Sequence, residues 1–196
     1  MDLPTETERP SDKRAAILDA ALALFSERGF HGTAVPLVAA QAGVGAGTLY
    51  RYFASKEALV NALYRHWKQA LAAALLEGFP IDAPPRAQFA ECWRRLSRFA
   101  LENPRAFVFL ELHHHAPYLD ADSRAADVAV LGPLRAFADH AQRARVLKDQ
   151  PPELLMALVF GAVVGIVRAA EAGHLPIDTA EAFARSESLV WEAIRG

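Results

Sequence analysis

Residues 13–56 read KRAAILDAALALFSERGFHGTAVPLVAAQAGVGAGTLYRYFASK, and the spacing within this stretch decides the fold. Ile17, Ala21, Leu24 and Phe25 recur at helical intervals and predict a helix from about Asp12 to Arg28. Ser11 stands where a hydroxyl accepts a free N–H of the first turn, and Gly29 where a positive φ ends a helix. A short helix follows over about Val35 to Ala42, with Pro36 tolerated in its first turn and Gly43 closing it. Gly43-Val44-Gly45 then turns into a second short helix that runs to about Tyr52.

Two short helices joined by a three-residue turn make a helix-turn-helix. The turn holds the second helix at a steep angle, so that its N-terminal end can enter a major groove about 12 Å wide. Charge agrees with this reading locally, though not in bulk. The chain carries a formal net charge of −2, yet from Arg9 to Lys56 six cations stand against three anions. The cationic surplus therefore lies in the first quarter of the chain.

Working outward, Ser55 caps a longer helix over about Lys56 to Leu76, with Leu59, Leu63 and Trp67 at helical spacing. Glu77 to Pro85 holds Gly78, Pro80, Pro84 and Pro85, a loop that reads as a boundary between modules. Further helices are expected over about Arg86 to Glu102, Pro104 to His115 and Ser123 to Leu147, the last bent at Gly132-Pro133. The apolar run Leu154 to Val167 is too short to cross a bilayer and predicts a buried helix with Pro151-Pro152 before it and Gly173 after it. Asp178 with Glu181 starts the last helix as a capping box. Alternating strand patterns are absent, so the expected fold is all-α, about nine helices. A helix-turn-helix module over residues 1–55, with a flexible arm of about ten residues, precedes a helical module over residues 56–196.

The chain has 196 residues, of which 53% are hydrophobic, enough for a core without disulfide or structural metal. Its single cysteine, Cys92, reads as a small buried residue. With no disulfide framework, and with a polar N-terminus lacking the apolar segment of a signal peptide, a cytoplasmic location is expected, with no membrane association. No nucleophile elbow, phosphate-binding loop or Cys/His pair stands out, so neither enzyme activity nor a cofactor is expected. The run His113-His114-His115 invites a metal reading. Adjacent helical residues point about 100° apart, however, and cannot converge on one ion. Glu111 with His114, and Glu171 with His174, have a Glu-x-x-His spacing seen in di-iron bundles, but His174 falls after Gly173, past the expected helix end. No metal centre is therefore expected. A helical metal oxidase, or an interaction protein that no longer reads DNA, are the competing readings.

Phe25, Gly29, Phe30 and Thr33, followed by AGVGAGTLYRYFASKEAL from Ala42 to Leu59, closely resemble the signature of the TetR family of repressors. The resemblance covers about the first 60 residues. It implies a DNA-binding surface in which Thr33 holds a phosphate at a helix start and Gly47 lets the backbone approach the duplex. Thr48 and Tyr50 would bond phosphates or a base edge, Tyr52 would reach the backbone, and Lys56 would pair with a phosphate. Lys13 or Arg14 would add a peripheral contact, and Arg51 stands equally as a base or phosphate contact or as a solvated charge. Many relatives carry serine and lysine where this chain has Gly45 and Ala46. Readout would then rest on thymine methyls, Thr48, Arg51 or DNA shape.

The resemblance also implies a C-terminal cavity and a two-fold dimer. The residues expected to line the cavity are Trp67, Trp93, Phe107, Leu112, Phe137, Phe160 and Val164. His113, His115, Tyr118 and Arg168 are expected to orient a small apolar effector. Gly161 and Gly165, four apart, permit close helix approach, and with Leu158, Val190, Trp191 and Ile194 they form the expected homodimer face. Operator DNA is the other expected partner.

Overall fold

A computed structural model describes residues 10–112 and 115–196, the side chains of Pro10, Ser11 and Leu112 aside. Among the described residues there is no strand, only an isolated bridge between Leu147 and Arg195. Helix α1 spans Pro10–Gly32, α2 Val35–Gln41, α3 Ala46–Tyr52 and α4 Lys56–Leu76. They are followed by α5 (Pro85–Glu102), a short α6 (Pro104–Phe107) that widens into a π turn over Val108–Leu112, α7 (Ala121–Arg143), α8 (Pro152–Glu171) and α9 (Thr179–Ile194). The proposed arm before residue 10 lies outside the described residues.

The N-terminal module packs around one end of the core. Ile17, Leu24 and Phe25 of α1 are buried with Val38 of α2 and Leu49 of α3. Helix α1 begins at Pro10, so Ser11 falls inside it rather than at its cap. Gly29 takes a positive φ, 65°, with an extended ψ of −177°, and breaks the helix where expected; a short second helical segment then continues across this kink to Gly32. At the end of α2, Gly43 (φ 67°) lets the Val44 N–H reach the carbonyl of Ala39 and its own N–H reach that of Ala40. This double closure satisfies carbonyls the helix would otherwise leave bare and fixes the turn into α3.

Helix α4 starts where Ser55 Oγ accepts the N–H of Ala58 at 3.1 Å. It packs against α1 near its start and against α5 and α7 farther along. One continuous apolar core runs from Ile17 in α1 to Ile194 in α9. The corner between α4 and α5 is held by Arg95, which donates to the carbonyls of Leu75, Glu77 and Gly78 and to Glu91. Helix α7 begins at the cap Asp120, ahead of the expected Ser123, and continues helical through Pro133. The π turn was not foreseen, because i→i+5 bonding leaves no mark in apolar periodicity.

Helix α8 departs most from expectation. It is 20 residues long with a mean hydropathy of 2.0 over its most apolar window, long and apolar enough by composition to cross a membrane, yet only 11% of that window is buried. Leu155, Val163 and Val167 face the core, whereas Leu154 and Leu158 are about half exposed. The helix is thus not buried within its own chain. Asp178 accepts the N–H of Glu181 at 2.9 Å at the start of α9, but the Glu181 carboxylate pairs with Arg185.

Candidate nucleic-acid interface and internal cavity

Helix α3 is anchored by one side chain. Leu49 is fully buried and Phe53, just past the helix, is nearly so, with the Arg14 guanidinium 5.5 Å from its ring centroid. The remaining positions turn outward. Gly45, Ala46, Gly47, Tyr50 and Arg51 are exposed, and Thr48 and Tyr52 are half-buried. A Cβ built on Gly45 or Gly47 meets nothing within 4 Å, so the protein itself leaves space on that face. The Arg51 guanidinium lies 5.8 Å from the Tyr52 ring centroid.

Lys56 stands beside this face. Its Nζ sits 4.2 Å from the centroid of Phe30, and partial burial lowers its pKa, with Glu57 opposing. Lys13 is half-buried and Arg14 exposed on the neighbouring helix. Thr33 requires correction. It is 1% exposed, and its hydroxyl lies 2.9 Å from the carbonyl of Gly29 and 3.1 Å from that of Leu24. The side chain ties down the kink in α1 and is unavailable to a phosphate.

The C-terminal module encloses a cavity of about 890 Å³. Helices α4, α5, α7 and α8 supply most of its wall, including Leu71, Leu75, Phe89, Leu96, Val130 and Met156. Of the residues expected there, Phe137 and Phe160 line it. Trp93 is buried in the core, its indole N–H donating to the Phe183 carbonyl at 2.9 Å. Phe107 is fully buried and stacks behind Phe160, Trp67 packs on Phe99, and Val164 packs on the core elsewhere. Arg168 is exposed. His115 is buried against Phe109 and Tyr64, with Nε2 bonded to the Phe109 carbonyl. Tyr118 is at the junction with α1. His113, His114 and the Leu112 side chain lie outside the described residues. Cys92, expected in the core, is half-buried on the cavity wall, where burial pushes its thiol pKa up to about 11.

The polar members of the wall were missed. Lys68, Glu111, Asp127 and Tyr64 all line the cavity. One signal was readable: Tyr64, Lys68, Leu71 and Leu75 share a helical stripe, and a lysine within an apolar stripe marks a buried charge. His174 is exposed, past the end of α8.

The expected dimer face divides. Leu158, Gly161 and Gly165 are exposed and Val190 is half-buried. Trp191 and Ile194 point the other way: Trp191 is 7% exposed against Phe89, and Ile194 lines the cavity. Leu189, 69% exposed, stands on the outward side of α9 in their place.

Comparison with known proteins agrees with this arrangement. A family model described as bacterial regulatory proteins of the tetR family matches residues 17–63, and one for the tetracyclin repressor-like C-terminal domain matches residues 64–196. The chain is 39% identical over 111 residues to the HTH-type transcriptional regulator RutR of Escherichia coli K12, covering 56% of this chain and 52% of that protein. It is 38% identical over 122 residues to the HTH-type transcriptional repressor KstR of Mycolicibacterium smegmatis, covering 56% of each. The matches thus span about half the length of these curated relatives. A TetR-family transcription regulator from Shewanella sp. PV-4 superposes with a TM-score of 0.79 at 29% identity, over 94% of this chain and 98% of that one. With an outward helix on a helix-turn-helix frame, a helical C-terminal domain and family matches over both, the chain belongs to the TetR family of DNA-binding transcriptional regulators.

Proposed function

We propose that this protein is a homodimeric repressor that binds an inverted-repeat operator and is released from it by a small, largely apolar effector. The carrying observation is the exposure of Gly45, Ala46, Gly47, Tyr50 and Arg51 on a helix pinned by Leu49. A second copy of the chain would cover Leu154, Leu158 and Leu189, whose exposure on α8 and α9 is hard to reconcile with a solitary chain in water. Dimerisation through these helices would set the two α3 helices on half-sites about 34 Å apart. A cytoplasmic location follows from this role.

The cavity volume of about 890 Å³ falls within the range of small-molecule sites, about 300–1,000 Å³. Its wall includes five residues of α4, the helix that begins at the DNA-facing Lys56. An effector that fits one position of α4 better than another would shift the population toward it, to the extent of the difference in affinity. Selection from a random duplex pool tests the reading. A symmetric motif should be enriched, and recovery of a sequence-independent pool would refute it.

A further inference from the structure

Lys68 is 6% exposed, and its ammonium is held by Glu111 Oε1 at 3.1 Å and Asp127 Oδ1 at 2.9 Å. Two carboxylates thus meet one ammonium on a wall that is otherwise mostly hydrocarbon. Of the other charged or titratable lining groups, Glu153 pairs with Arg135, His140 is exposed, and burial favours the neutral forms of Tyr64 and Cys92. Among the described lining residues the surplus negative charge has no second cation to offset it.

We propose that the cavity takes a lipophilic organic cation, with its charge beside Glu111 and Asp127 and its hydrocarbon against the apolar wall. The inference rests on reading the cavity as the effector site. A buried charge is costly unless paired, so an incompletely matched anion favours a ligand that completes the match. Burial raises the pKa of Glu111, with Lys68 opposing, which is the sign of a carboxylate whose lost hydration is not fully replaced. An anionic ligand would bring a third negative charge to a lysine that already has two partners. A neutral one would fill space and leave the surplus as it was. The Lys68 ammonium already lies over the Tyr64 ring, 5.4 Å from its centroid, but Phe137 and Phe160 also line this wall, and an aromatic face attracts a cation and not an anion.

Tetraphenylphosphonium and tetraphenylborate have nearly the same shape and opposite charge, and triphenylphosphine oxide is a neutral counterpart. Each is titrated calorimetrically into the full chain. The phosphonium should bind at least tenfold more tightly than either of the others. Glu111→Gln should weaken it at least threefold, and Lys68→Met should strengthen it by removing the competing ammonium. Asp127→Asn replaces Glu111→Gln if that variant melts before the titration temperature. Equal or tighter binding of the borate, no binding of the phosphonium, or unchanged phosphonium affinity in the carboxylate variants would overturn the inference. Leu71→Trp separates the two readings. If it abolishes binding of the borate or the oxide, the effector cavity stands and only its charge preference fails. If phosphonium binding survives it unchanged, the ligand sits elsewhere and the cavity reading fails as well.

Discussion

The ring of Tyr118 lies over that of Phe30, with centroids 3.9 Å apart and planes 19° apart, joining the segment before α7 to the end of α1. Its hydroxyl is 2.8 Å from His31 Nε2, and its carbonyl accepts from Asn61 of α4 at 2.7 Å. Lys56 sits against the same Phe30. Tyr118 thus connects the two modules and does not line the cavity. Tyr118→Ala should destabilise the chain by about 2 kcal/mol through the lost stack and packing. Tyr118→Phe, which keeps the stack, should cost under about 1 kcal/mol. Urea unfolding distinguishes them, and equal losses would assign the joint to the hydroxyl.

Lys56→Ala should weaken binding to every duplex alike. If the ammonium meets one phosphate, the slope of log K against log salt should fall in magnitude by about 0.9. Fluorescence anisotropy over a salt series measures it. An unchanged slope would leave Lys56 as a partner of Phe30 only.

Leu158→Asp and Leu189→Asp place charge on the outward sides of α8 and α9, away from the core. Each should shift the protein toward monomer in sedimentation and lower operator affinity at least tenfold. Melting of the isolated chain should change by no more than about 0.5 kcal/mol, because neither residue is buried in it. A variant that remains dimeric would move the interface elsewhere.

Glu91 accepts hydrogen bonds from Arg94 and Arg95, which hold its carboxyl down to about 2. A folded-state value below the ordinary one stabilises the fold above the ordinary carboxylate range, and this is lost as pH falls toward about 2. Glu91→Gln should therefore lower stability at neutral pH by about 1 kcal/mol after allowance for solvent screening, and flatten the acid limb of the stability curve. Thermal melts from pH 7 to strong acid report both effects. A parallel acid limb would deny Glu91 this part.

What could be read from the sequence was what local rules govern. Ser55 as a cap, Gly43 as a helix end and Asp178 ahead of Glu181 depend on residues three or four positions away, and each stands where expected. Direction was harder to read than apolarity. Helix α9 carries Leu189 and Trp191 two positions apart, one 69% and the other 7% exposed, and only the placement of α5 decides which turns inward. Of the rings expected in the cavity, Phe137 and Phe160 line it, whereas Trp93 and Phe107 do not, because their partners Phe183 and Phe160 lie far away in the chain. Asp127 could be matched to Lys68 only once α7 lay across α4. Thr33 shows the opposite hazard: a role implied by resemblance gave way to two carbonyls within reach of its hydroxyl.

Helix α4 runs its 21 residues without a break between Lys56, beside the exposed face of α3, and the far wall of the cavity. A rod of that length is about 31 Å, so a tilt of roughly 2° about one end carries the other through about 1 Å. No slack joint along it can absorb the movement. Asn61, between Lys56 and the first cavity residue Tyr64, ties this rod to the segment before α7, so substitutions there should change how any tilt is shared between its two ends.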